Sequence, residues 1–213
     1  MAVIDHLVLV VSDLGSAVDA FEQDWGVRPS AGGRHQGLGT HNALVSFGTS
    51  YLELIAADPT QPGPDGPRPF GVDDIDDQRL VTWAVRPDPA SGETLASLIG
   101  ACRNVGHDPG DPFPMARQTE SGSVLSWQLT FPTMAHDGVI PFLIDWGDTA
   151  HPATSAPSGP ELATLGGFTT DAERANQILD ALALPQFVVA CGDEIPGLHA
   201  TFEADHHPGN RQE

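Results

Sequence analysis

Two ionisable side chains sit in surroundings that do not suit their type. His6 lies inside the apolar run VIDHLVLVV (residues 3–11), and Glu53 lies between Leu52 and Leu54 in YLELIA (51–56). A carboxylate in an apolar strand needs a partner or water if it faces inward. There it could act as a metal ligand or a general base, with burial raising its pKa toward neutrality. On a sheet with one wet face it would simply point to solvent. His6 carries the same pair of readings, a working imidazole or a hydrogen-bonded structural one. By strand alternation His6 shares a face with Val8 and Val10, and Glu53 shares one with Tyr51 and Ile55.

A second group of polar side chains falls in RHQGLGTHN (34–42). Arg34 would suit a substrate carboxylate through a bidentate pair, or be a solvated loop arginine. His35, His41 and Asn42 are substrate-binding candidates beside it. The hairpin loop after residue 46 decides what faces Glu53. A three-residue loop sets Val45 opposite it. A two-residue loop sets Asn42 and Leu44 on its face and turns His41 away. Asp145, Trp146 and His151 form a third group, and His206 with His207 sits on a polar tail suited at most to adventitious metal binding.

Strand and helix signals position these residues. VIDHLVLVV reads as a buried strand, followed by Ser12 and Asp13 as N-cap candidates, a helix through Ala17, Val18 and Phe21, and a stop at Gly26. The same order returns at 80–106, with LVTWAV as the strand, Ser91 as the cap and Gly106 as the stop. It returns again at 162–184, with Thr170 and Glu173 as a capping box. Strands are expected near 31–36 and at 41–47, 51–56, 124–131, 140–146, 186–192 and 198–204. One small βαβββ module is therefore repeated. Module one covers 1–58, a Pro/Gly/Asp-rich connection 59–78, module two 79–147, a second connection 148–160, and a partial third module 161–205, all sharing one core as a single domain. The fold class is α+β: repeated βαβββ modules whose half-sheets share one core.

The chain has 213 residues, 29 acidic against 9 basic side chains, and a formal net charge of −20. So acidic a surface repels phosphate backbones and anionic lipid, which argues against nucleic-acid and membrane partners. Every basic residue is arginine. That excludes a lysine Schiff base and the lysine of a phosphate-binding P-loop. Cys102 and Cys191 form no CxxC and read as small buried hydrophobes. The chain starts straight into a strand without a basic leader, so the expected compartment is the cytoplasm.

The Asp-His of strand one, the repeated module, YLELIA and PFLIDWGDTAHP together resemble the vicinal oxygen chelate superfamily, and within it the glyoxalase-like branch. The resemblance covers most of residues 1–152. It implies that the modules form a cupped mixed sheet with helices packed outside, holding a divalent metal ion (Zn, Ni, Mn or Fe) that chelates vicinal substrate oxygens. Carried over by position, it makes His6 and Glu53 ligands from module one and Asp145 the ligand from module two. The first-strand position of module two falls on Leu80, Val81 or Thr82, none of them a good ligand. It also implies Trp146 and His151 near the pocket mouth.

The activity this implies is a metal-dependent lyase or isomerase acting on a small carbonyl or vicinal-oxygen compound, with Glu53 or Asp145 as ligand or base. One alternative is a metal-free protein that sequesters a small, partly aromatic molecule, with Trp83, Trp127, Trp146 and Phe142 lining its cavity. Another is an iron-dependent dioxygenase, for which two histidines and one carboxylate are the usual ligands. The unpaired third unit could dock on a partner chain, which favours a homodimer.

Overall fold

The structure is a computed structural model that describes residues 1–118, 124–131 and 135–203. His206 and His207 lie outside the described residues. The first unit is β1 (Ala2–Val11), α1 (Leu14–Trp25), β2 (Ser30–His35), β3 (Thr40–Ser46) and β4 (Tyr51–Ala57). The second is β5 (Gln78–Pro87), α2 (Leu95–Asn104), β6 (Pro112–Gln118), β7 (Val124–Thr130) and β8 (Phe142–Asp145). The third is β9 (Glu161–Thr169), α3 (Ala172–Ala181), β10 (Val188–Ala190) and β11 (Gly197–Glu203).

Local chemistry explains the helix ends. Asp13 caps α1 by accepting the Ser16 N–H at 2.8 Å, and Gly26 closes it in the left-handed region. The caps of α2 and α3 differ from expectation. Thr94 caps α2 in a reciprocal capping box with Ser97, because Ser91 belongs to a separate turn on Asp88. Asp171 caps α3 by accepting from the Arg174 N–H.

The strands close into an eight-stranded barrel of order β1-β4-β3-β2-β6-β7-β8-β5. It consists of two like halves, and its two seams differ. Where β1 meets β5 the ladder is antiparallel and runs from Ala2↔Pro87 to Val11↔Gln78. Where β2 meets β6 a single pair among the described residues joins them, Arg34↔Gln118. Strand β6 escaped the sequence reading because Pro112 and Pro114 cannot donate to a ladder and demote such a run to an edge.

Apolar side chains fill both sides of the barrel wall. Inside are Val8, Val10, Leu44, Ile55, Trp127, Phe142, Ile144 and Trp146. Outside, Leu7, Leu54, Trp83 and Leu143 pack under Leu98 and Ile99 of α2 and Ile178 and Leu179 of α3. Trp83 thus belongs to the outer core and donates its indole N–H to Val139 O at 2.9 Å, so it does not line the cavity.

The third unit forms its own sheet, β10-β9-β11. Leu198, Ala200 and Phe202 of β11 meet Leu9, Leu52 and Leu80 on the barrel's outer face. The Phe202 ring also lies 5.8 Å from that of Phe47. The third unit therefore docks on the barrel of its own chain through this apolar face.

Candidate functional site

The hairpin between β3 and β4 fixes the face of Glu53. The Phe47 N–H donates to Ser50 O at 2.9 Å, closing a two-residue Gly48–Thr49 loop. Leu44 then pairs with Glu53 and Asn42 with Ile55. Asn42, Leu44 and Glu53 all turn into the barrel, and His41 turns out, as the two-residue alternative requires.

A bulge in β1 does comparable work on the other side. Ile4 pairs with Val85 and His6 with Ala84, so Asp5 is an extra residue against β5. Simple alternation would send Asp5 to the outer face. Instead its carboxylate is fully buried beside the His6 ring. Asp5 Oδ1 accepts from His6 Nδ1 at 2.6 Å, and Oδ2 accepts from Trp146 Nε1 and His151 Nε2, each at 3.0 Å. The Arg86 guanidinium lies 3.3 Å from Oδ2. Burial alone would push the Asp5 carboxyl up. The hydrogen bonds from His151 and His6 outweigh it and hold the group at about 2.

These contacts set the imidazoles. The His6 Nδ1–H is committed to Asp5, and Nε2 faces the cavity, 3.6 Å from Glu53 Oε2. The other Glu53 oxygen accepts from the Asn42 amide at 2.5 Å. That amide's nitrogen also lies 3.4 Å from His35 Nε2, while His35 Nδ1 meets Thr40 Oγ1 at 2.9 Å. Burial lowers the pKa of His35, keeping it neutral with its Nε2 lone pair toward Asn42. Asn42 Oδ1 in turn accepts from Arg117 Nη1 at 3.1 Å.

Together these groups form one polar wall of a cavity whose other walls are Phe70, Met115, Trp127, Leu129, Phe142 and Trp146. Tyr51 stacks on His6 at 4.7 Å between ring centroids, and burial raises its hydroxyl pKa.

Not every expected residue arrives there. Asp145 is corrected: its carboxylate accepts the Gly147 N–H at 2.9 Å, and the cavity takes Ile144 and Trp146 from either side of it. The position equivalent to Glu53 is one residue earlier, and a one-residue slip changes the face of a strand. His151 is also displaced, standing behind Trp146 on Asp5 and not on the cavity wall. Arg34 and His41 line a separate outer groove, where Arg34 lies 3.4 Å from Asp58. The Cys102 thiol is pushed up to about 11 by burial, as befits a core residue. Asp5 and Arg117 were missed. The alternation of Met115 and Arg117 around Ala116 is the signal that could have exposed Arg117.

The donor set does not fit a resident metal ion. Strand pairing relates the halves by position: His6 faces Tyr51 and Ala84 faces Phe142, with Glu53 and Ile144 two residues further on. Ala84 and Ile144 thus stand where module one has His6 and Glu53, and neither can ligate. Among the described residues only His6 and Glu53 offer converging donors, whereas a structural or catalytic zinc takes three or four protein ligands. His35, which would complete a two-histidine, one-carboxylate set, has its lone pair on Asn42. Among the described residues no group of three or more His, Cys, Asp or Glu is gathered to hold an ion.

The sequence matches the family model described as "Glyoxalase-like domain" over residues 4–183. No curated protein sequence matches it. Among solved structures, a hypothetical protein from Staphylococcus aureus is similar at a TM-score of 0.64 and 16% identity, over 97% of this chain and 83% of that one. That likeness shows a shared fold. Methylmalonyl-CoA epimerase from Mycobacterium tuberculosis aligns at a TM-score of 0.41 and 15% identity, over 66% of this chain and 84% of that one. A Streptomyces coelicolor methylmalonyl-CoA epimerase variant aligns at 0.42 and 18%, over 69% and 96%. Among the described residues, no helix is long and apolar enough to cross a membrane.

Proposed function

This chain belongs to the glyoxalase-like domain family, and we propose that it catalyses proton transfer at a carbon next to a carbonyl, in an isomerase- or lyase-type reaction on a small molecule. The observation that carries this reading is the His6–Glu53 pair, with His6 Nε2 held 3.6 Å from Glu53 Oε2 by the Asp5 bond behind it. Glu53 takes the proton as general base. His6, locked in one tautomer, accepts and returns it. Positioned acid–base groups of this kind contribute about 10²–10⁴-fold in rate. Asp145 and a bound metal play no part in these steps.

The supporting geometry is local. The carboxylate and the imidazole share a cavity whose remaining walls are mostly apolar and aromatic. Such walls exclude bulk water and strengthen the electrostatic interactions inside the cavity. Loss of α-protons to solvent deuterium, followed by NMR across a panel of small ketones, 2-oxo acids and 2-hydroxy acids, tests the reading without knowledge of the product. Catalysed exchange that Glu53→Gln abolishes supports it. Absence of exchange from every compound that binds would sink it.

A second reading, sequestration without chemistry, is favoured by the apolar half contributed by module two, including Phe142 and Ile144. It expects tight binding of a panel member with no exchange in the same NMR tubes.

A further inference from the structure

Arg117 is 5% exposed and lines the cavity, yet among the described residues its charge has no direct counter-ion. Among the described residues its hydrogen bond goes to neutral Asn42, and no carboxylate lies within 4.0 Å of its guanidinium. The Asn42 amide stands between Arg117 and Glu53, bonding one through its oxygen and the other through its nitrogen. Burying an unpaired cation is costly, and a guanidinium so held is normally matched to an anion.

The backbone makes room for this arrangement. A Cβ on Gly32 would sit 2.1 Å from Asn42 Oδ1 and 2.3 Å from Arg117 Nη1. The bare glycine in β2 therefore lets the guanidinium reach across the β2–β6 seam, where Arg34 pairs with Gln118. Module two lacks donors at Ala84 and Ile144, and its polar contribution to the shared cavity comes from Arg117 of β6.

We propose that Arg117 is an anion receptor that binds the carboxylate of an organic monocarboxylate with an apolar or aromatic body. The planar fork donates to two carboxylate oxygens. The body then lies against Phe70, Trp127, Phe142 and Trp146, which line the same cavity. This deepens the proton-transfer reading and rests on it only for the reacting carbon. In that step the C–H bond breaks, its proton passes to a Glu53 oxygen, and its electron pair moves into the carbonyl to give an enolate. The Arg117 charge, paired with the adjoining carboxylate, offsets the added negative charge through space until the proton returns to carbon, so nothing is oxidised or reduced.

The test uses the full chain with phenylglyoxylate and 3-methyl-2-oxobutanoate as anionic probes, and acetophenone and 3-methyl-2-butanone as neutral counterparts. Binding is read by calorimetry and by quenching of Trp127 and Trp146 fluorescence. The expected result is saturable binding of the anions in the millimolar range or tighter, weakened about 30-fold or more by Arg117→Gln, with the neutral ketones unchanged between the two proteins. Gly32→Ala, which keeps the arginine but displaces it, should mimic Arg117→Gln, and thermal melts confirm that each variant is folded. If Arg117→Gln fails to fold, Gly32→Ala alone carries the test. Equal affinity for anion and ketone, anion binding insensitive to both substitutions, or no saturable binding of either anion overturns the proposal. Glu53→Gln separates the two ideas: it should bind the anions as well as or better than the parent while losing exchange at C3 of 3-methyl-2-oxobutanoate. Retained anion binding without exchange in the parent protein sinks proton transfer and leaves the receptor standing.

Discussion

Asp5 Oδ1 lies 2.6 Å from His6 Nδ1, although the two are neighbours in a strand and would normally point to opposite faces. The bulge at Asp5 brings them to one side, and the carboxylate then gathers Trp146 and His151 as well. Asp5→Asn should therefore destabilise the fold by about 3–5 kcal/mol, the range for breaking a buried charged pair, measured by urea unfolding at neutral pH. A loss below about 0.5 kcal/mol would contradict the hub role.

Acid should weaken the native state through the same carboxylate. Its folded pKa of about 2 lies below the ordinary 3.8, so its contribution is present above the ordinary value and is lost as pH falls from about 4 toward 2. That shift corresponds to about 2 kcal/mol. Asp5→Asn should remove this component, and the unfolding midpoints of the two proteins should converge as pH drops.

His35 adds a milder dependence at higher pH. Burial lowers its pKa in the folded chain, so below the ordinary 6.5 the unfolded state takes up the proton first. Stability from this group is thus full above 6.5 and declines as pH falls toward the lowered folded value, with a slope of at most about 1.4 kcal/mol per pH unit. His35→Gln should flatten that part of the stability curve. An unchanged curve would mean that another group titrates there.

Gly138 offers a test of the barrel itself. Its φ is +80°, and a Cβ would meet Val81 O at 1.9 Å. Backbone cannot yield as a side-chain tip can, so Gly138→Ala should cost about 2–5 kcal/mol from overpacking and left-handed strain together. A melting temperature within a degree or two of the parent would show that the loop yields after all.

Protein purified without a histidine tag should hold divalent metal well below one ion per chain, because among the described residues only His6 and Glu53 offer converging donors. Elemental analysis beside a His6→Ala control checks this. A stoichiometric ion lost in the control would reinstate the metal-dependent chemistry that the family resemblance implies.

The repeated module, the barrel's strand-helix order apart from β6, and the inward set His6, Val8 and Val10 were legible in the sequence. Each rests on short-range rules: side chains alternate along a strand, caps precede helices, and glycine ends them. His6 and Glu53 stood out for the same reason, as polar types in apolar runs. Other features depended on register and closure, which no local pattern encodes. The two-residue hairpin turned Asn42 inward, the bulge turned Asp5 inward, and one residue of phase turned Asp145 out in favour of Ile144. Arg117 lies 64 residues beyond Glu53 on a strand interrupted by prolines, and only closure of the β2–β6 seam brings it to Asn42. Residue type and spacing thus identified the groups capable of chemistry, and long-range strand pairing selected which of them share a cavity.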